Sequence, residues 1–142
     1  MGYRVLIGFL LFCSNTSYSQ SLGNLKVVVT GLRSAEGAVL ISLFNRADGF
    51  PSDPAKAFKK EKILIQSGVS VMVFTDLPSG NYAIALLHDQ NNNLKMDTRL
   101  LVLPKEGYGF SNDASARFGP PSYTQAMFYF PTTTTIRIQV RY

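Results

Sequence analysis

The chain has 142 residues and a net charge of +5, with one Cys, one His and no Trp. One cysteine excludes a disulfide framework, and one histidine cannot by itself build a transition-metal centre. The basic residues are scattered, apart from Lys56, Lys59, Lys60 and Lys62, a run broken by Glu61 and without interleaved aromatics; a solvated loop or short helix accounts for it, and no nucleic-acid partner is expected.

Residues 1–19 read as a signal peptide. Arg4 supplies a positive start, an apolar run follows over residues 5–13, and Ser17-Tyr18-Ser19 places small residues at the −3 and −1 positions of a cleavage site before Gln20. The run is too short for a transmembrane helix, which needs about 20 residues. Cys13 closes it, but bulky Phe12 stands where a lipoprotein signal has a small residue. Cleavage removes the only cysteine and, with Arg4, one positive charge. Residues 20–142 are then a single exported domain, periplasmic or extracellular, held together by its core or by a bound metal.

The remaining pattern is β. Residues 25–30 alternate, with Leu25, Val27 and Val29 on one side; Gly31 and Gly37 bound the following turn. Residues 38–45 are continuously apolar, as in a strand buried on both faces. Pro54 with a capping Asp53 makes 54–62 the one helical candidate. Residues 63–66 and 69–74 form a hairpin around Ser67-Gly68, and 82–88 and 126–130 are further strands. Over 134–142, Ile136, Ile138, Val140 and Tyr142 alternate with Arg137, Gln139 and Arg141, the mark of a strand with one wet face. About seven short strands with Gly/Pro turns predict an all-β antiparallel β-sandwich of prealbumin or immunoglobulin-like type. Leu77-Pro78-Ser79-Gly80-Asn81-Tyr82 resembles the strand–turn–strand signature of prealbumin-like and carboxypeptidase-regulatory-like domains.

Two segments carry chemistry. In the first, Asp89, Asn91, Asn93 and Asp97 follow an apolar run at the i, i+2, i+4, i+8 spacing of a calcium loop, with the Lys95 carbonyl at its seventh position. Calcium wants six to eight oxygens, so further ligands are sought among Asp76, Glu106 and Asp113. Leu94 and Leu100 stand where an EF-hand has its glycine and its bidentate glutamate, and the flanks are β, so this is not an EF-hand. The alternative is an unliganded turn built on Asx hydrogen bonds. The second segment, 104–125, mounts Tyr108, Phe110, Phe118 and Tyr123 between glycines and prolines, with Asn112, Asp113 and Arg117 nearby. Tyr108, Phe110, Asn112, Arg117, Phe118 and Tyr123 are candidate ligand-binding residues, for carbohydrate or an envelope protein. The alternative is an Ω-loop that folds its aromatics over an open end of the sandwich. The mature chain has no thiol, no second histidine and no serine triad. Glu106 and Asp113 are the one candidate carboxylate pair, on a scaffold too short for a deep cleft, so no enzyme is expected.

Three elements together, His88-Asp89-Gln90-Asn91-Asn92-Asn93-Leu94-Lys95-Met96-Asp97, Pro104-Lys105-Glu106-Gly107-Tyr108-Gly109-Phe110-Ser111-Asn112 and Phe118-Gly119-Pro120-Pro121-Ser122-Tyr123, resemble the bacterial secreted family known as domain of unknown function 2141. Leu94 stands where members more often carry glycine. The resemblance implies an exported bacterial sandwich domain and no mechanism. The expected function is a non-catalytic binding or accessory module stabilised by calcium, with the two segments forming one end of the sandwich. The alternatives are a purely structural envelope component and a small hydrolase.

Overall fold

The computed structural model describes residues 21–100 and 103–142; the expected leader over 1–19 lies outside the described residues. Ten strands occur among them, in chain order β1 (Leu22–Thr30), β2 (Ala38–Phe44), β3 (Lys59–Ile63), β4 (Ser70–Pro78), β5 (Gly80–Asp89), β6 (Thr98–Arg99), β7 (Leu103–Pro104), β8 (Gly107–Phe110), β9 (Phe128–Phe130) and β10 (Thr135–Gln139). The helix α1 (Tyr123–Ala126) is a single turn. One sheet has the order β10-β1-β4 and the other β3-β2-β5-β8, with β9 also on β5; β6 and β7 form a small ribbon. The architecture is an all-β sandwich.

Its core is built by alternation. Leu25, Val27 and Val29 of β1 and Ile136 and Ile138 of β10 meet Val39, Ile41 and Leu43 of β2 and Tyr82, Ile84 and Leu86 of β5, and all are buried. Each such aliphatic side chain contributes about 1.5–3 kcal/mol by leaving water. Leu77 and Val140 are buried with them, as the period-two pattern requires. The polar partners Lys26, Arg137 and Gln139 stay on the wet face of the first sheet.

A second apolar cluster lies on the other face of β5. Ala83 and Ala85 pack with Phe44, Phe110 and Ala126, flanked by Phe50, Tyr108, Ala114 and Tyr123. The small alanines let this covering layer approach the sheet closely. The continuous burial of β2 and β5 is thus explained by a third layer, formed by the loop after β2 and the segment after β8.

Four expectations need correction. The helical candidate over 54–62 is only a 3-10 turn, Pro54–Lys56, capped as expected by Asp53. The lysine run after it is β3, an edge strand on β2, so the hairpin strand expected at 63–66 lies earlier. An edge strand tolerates lysines on both faces, and they discourage pairing with another chain, so the usual alternation is lacking. Ala126 closes α1 and does not begin a strand. Finally, β1 and β10 pair in parallel, with Val27 opposite Ile136 and Val29 opposite Ile138, so the first sheet is mixed. Period-two patterning assigns faces and says nothing of strand direction.

Candidate functional site

The Asp89 loop leaves the end of β5, where His88 and Asp89 are fully buried. Asp89 organises the turn. Its Oδ1 accepts from the backbone N–H of Asn93 (3.1 Å) and its Oδ2 from that of Leu94 (2.9 Å). The Asn91 and Asn93 side-chain oxygens accept from backbone N–H groups two residues on, of Asn93 and Lys95, making two Asx-turns. Their Nδ2 groups donate to the two Asp97 oxygens, at 2.8 Å from Asn91 and 3.1 Å from Asn93. The Asn91 and Asn93 side chains thus meet at Asp97, while Asp89 holds the loop backbone and the Lys95 N–H is tied to Asn93. Leu94 has φ +63°, the left-handed conformation that favours glycine, and is mostly exposed.

Glu106 fastens this loop to the sheet. It is only 4% exposed, and its two oxygens accept from the backbone N–H of Gln90 (2.9 Å) and of Asp97 (3.1 Å). Of the three further ligands considered from sequence, Glu106 alone touches the loop. Asp76 lies on β4 in the other sheet, and the Asp113 side chain accepts from Gln139 N–H. Glu106 and Asp113 precede and follow β8, each occupied by backbone donors, so they do not form a facing carboxylate pair. Among the described residues, no group of three or more His, Cys, Asp or Glu side chains is placed to hold a metal ion. The loop offers two carboxylates and two carboxamides.

Buried His88 anchors a network that reaches the surface. Its Nε2 meets the Glu36 carbonyl at 2.9 Å, so Nε2 carries the proton and donates. Its Nδ1 then accepts from the Tyr142 hydroxyl at 2.6 Å, and that hydroxyl accepts from the Arg33 N–H at 3.1 Å. Gly107 makes room for the ring. A Cβ there would lie 2.6 Å from Tyr142 Cε1 and 2.5 Å from Val140 Cγ1. Sequence reading missed this network, and the only signal was that the sole histidine precedes the buried Asp89.

Segment 104–125 is not a structureless loop. Through β8, the 3-10 turn Ser111–Asp113 and α1 it runs along the edge of β5, from the Asp89 end to the Gly80 end where β9 pairs. The expectation that it joins the Asp89 loop at one end of the sandwich therefore holds only for residues near Glu106. β8 and β9 share this edge and leave a gap opposite Ile84. The Ser111 hydroxyl fills it, accepting from Ile84 N–H at 2.9 Å and donating to the Ala126 carbonyl.

The six candidate ligand residues do not converge. Phe110 is buried, and Tyr108 and Tyr123 are partly buried against the second cluster, where Phe50 meets Tyr123 edge-on with ring centroids 5.9 Å apart. Burial raises the pKa of the Tyr123 hydroxyl, with a smaller contribution from Tyr82; burial also raises that of Tyr82. The Tyr123 hydroxyl donates to the Asn81 carbonyl. Asn112 donates to the Met127 carbonyl. Phe118 is 87% exposed, with the Arg117 guanidinium 5.8 Å from its ring centre.

The lysine run is also engaged. Lys56 pairs with Asp48 at 2.8 Å, Lys59 donates to the Thr75 carbonyl and Lys62 to the Asn92 side chain. No helix among the described residues is long and apolar enough to cross a membrane.

A family model described as "uncharacterized protein conserved in bacteria (DUF2141)" matches residues 27–138. No curated protein matches the chain, and no solved structure does.

Proposed function

We propose, for a chain that belongs to this bacterial family, an exported, non-catalytic binding or accessory module whose Asp89 loop is stabilised by calcium. The observation that supports this reading is one tight loop in which the Asn91 and Asn93 side chains meet Asp97 and the Asp89 and Asn91 oxygens accept from the same Asn93 N–H. Alternate residues of a tight loop direct their oxygens to one centre, as a hard cation requires. Leu94 holds the left-handed backbone that such a loop needs even without glycine. Turning the two carboxamides would bring oxygens to where their nitrogens now face Asp97, with the loss of the two Asx-turn bonds.

Calorimetric titration with calcium tests this reading. Binding to the wild type, its loss in Asp97→Ala, and weaker binding of magnesium are expected, because magnesium demands a tighter octahedron and sheds water reluctantly. Asp97 is the better site to vary, since Asp89 also caps backbone N–H groups of the fold. Absence of heat in the wild type would remove calcium from the account. The second reading, a structural envelope component without ligand, is favoured by one observation: the Asp97 carboxylate is already satisfied by both amides. Export is tested by intact mass from an exporting host. A product beginning at or next to Gln20 is expected, and a full-length soluble product carrying Cys13 would overturn it.

A further inference from the structure

Beside the Asp89 loop lies an open cleft of about 440 Å³, lined by Arg33, Arg99, Leu103, Pro104, Lys105, Tyr108 and Tyr142. Three of these side chains are cationic and none is acidic. Among the described residues the ion pair is Lys56–Asp48, so none of these three cations has a carboxylate within 4 Å. Its size lies in the range of small-ligand sites, roughly 300–1,000 Å³.

The cleft is ordered by the network that buried His88 anchors. His88 and Gly107 fix the Tyr142 ring. Arg33 lies on that ring, with Cζ 4.1 Å from its centre. The Arg33 Nη2 donates to Gln90 Oε1 at 2.8 Å and is 3.4 Å from the Lys105 carbonyl. Gln90 is held in turn by Ser34 and by Glu106. A guanidinium held on an aromatic face is pre-oriented, and with Nη2 engaged its Nε and Nη1 donors remain to meet an anionic oxygen. The nearby Glu106 carboxylate has both oxygens turned to backbone donors of the Asp89 loop, and the Asp97 oxygens accept from Asn91 and Asn93.

We propose that this cleft binds a small ligand bearing an oxyanion, a carboxylate or a phosphate, with Arg33 as the oriented donor and Lys105 and Arg99 as flanking charges. The proposal rests on the binding-module reading and gives its ligand a chemical class. Backbone amide NMR titration of the full mature chain at low salt tests it, with trigalacturonate, glucose 6-phosphate and neutral maltotriose as probes. One or both anionic probes should shift Arg33, Lys105, Tyr108 and Tyr142, and which of them binds identifies carboxylate or phosphate as the source. Raising the salt should weaken the binding. Arg33→Gln should lower affinity by about 10-fold or more, as loss of a charge-assisted contact does. Lys105→Gln, which removes charge without touching the Arg33–Tyr142 stack, should lower it several-fold, and Arg137→Gln, on the wet face of the first sheet, should leave it unchanged. No shift with either anionic probe, or equal weakening by Arg137→Gln, would overturn the proposal. Maltotriose binding as well as the anionic probes at these residues would overturn the ligand class and leave the module reading standing. Cleavage of trigalacturonate would refute the non-catalytic reading while its charge-dependent binding upheld the ligand class.

Discussion

Replacing Glu106 by Gln isolates the clamp between the Asp89 loop and the sheet. The side chain is almost fully buried, and each carboxylate oxygen accepts one backbone N–H, from Gln90 at 2.9 Å and Asp97 at 3.1 Å. The amide keeps one acceptor and sets an NH₂ group against the other backbone donor. One buried N–H is then unsatisfied, which costs about 1–3 kcal/mol, and the surviving bond loses its charge assistance, about 1 kcal/mol more. The expected loss is about 2–4 kcal/mol, in a domain whose total stability is about 5–15 kcal/mol. For this chain length that is a fall in melting temperature on the order of 10 °C. Calorimetric melting measures it, and amide hydrogen exchange locates it. Exchange at Gln90 and Asp97 should accelerate more than exchange in the β1–β4 pair. A loss under about 0.5 kcal/mol, the range of ordinary surface changes, would refute the clamp.

Ser111→Ala should cost about 2–4 kcal/mol, because the Ile84 N–H and the Ala126 carbonyl lose their shared partner in a buried place; urea unfolding measures it. Leu94→Gly should raise stability by about 0.5–1 kcal/mol, since relief of the left-handed leucine exceeds the entropy that glycine loses on folding; an unchanged or lower urea midpoint would contradict the loop geometry. Stability should also fall at high pH. The hydroxyls of Tyr82 and Tyr123 hold their protons longer in the folded chain than in the unfolded one. Their contribution is complete below the unfolded pKa of about 10 and is lost as pH rises above it. Melting from pH 8 to pH 11 should show the decline, and Tyr82→Phe with Tyr123→Phe should flatten it.

The parts legible in the sequence are those where one face is wet. Along β10 the alternation of Ile136 and Ile138 with Arg137 and Gln139 fixes the inward face without reference to any partner. The Asp89 loop was legible as well, because its oxygen donors recur at alternate residues, and the left-handed backbone at Leu94 fits the glycine position of that pattern. β3 was not legible, since Lys59, Lys60, Glu61 and Lys62 carry no apolar alternation; its strand character comes from pairing with β2. The aromatic segment was misplaced for a related reason. Its sequence shows rings between glycines and prolines but not the bare alanine face of β5 that Phe110 and Tyr123 cover. The basic cleft was invisible because Arg33, the ribbon carrying Arg99 and Lys105, and Tyr142 are three separated stretches of chain, brought together by the long-range bonds of His88, Gln90 and Glu106.

The central claim, that Asp89, Asn91, Asn93 and Asp97 form a calcium loop, is tested most directly by thermal melting of the wild type with excess calcium and with chelator. An ion that binds only the folded state, present at about 100 times its dissociation constant, stabilises by about 2.7 kcal/mol. That corresponds to a rise in melting temperature on the order of 10 °C, reversed by chelator. Superimposable melting curves under the two conditions would contradict the claim and leave the loop as a turn held by its own hydrogen bonds.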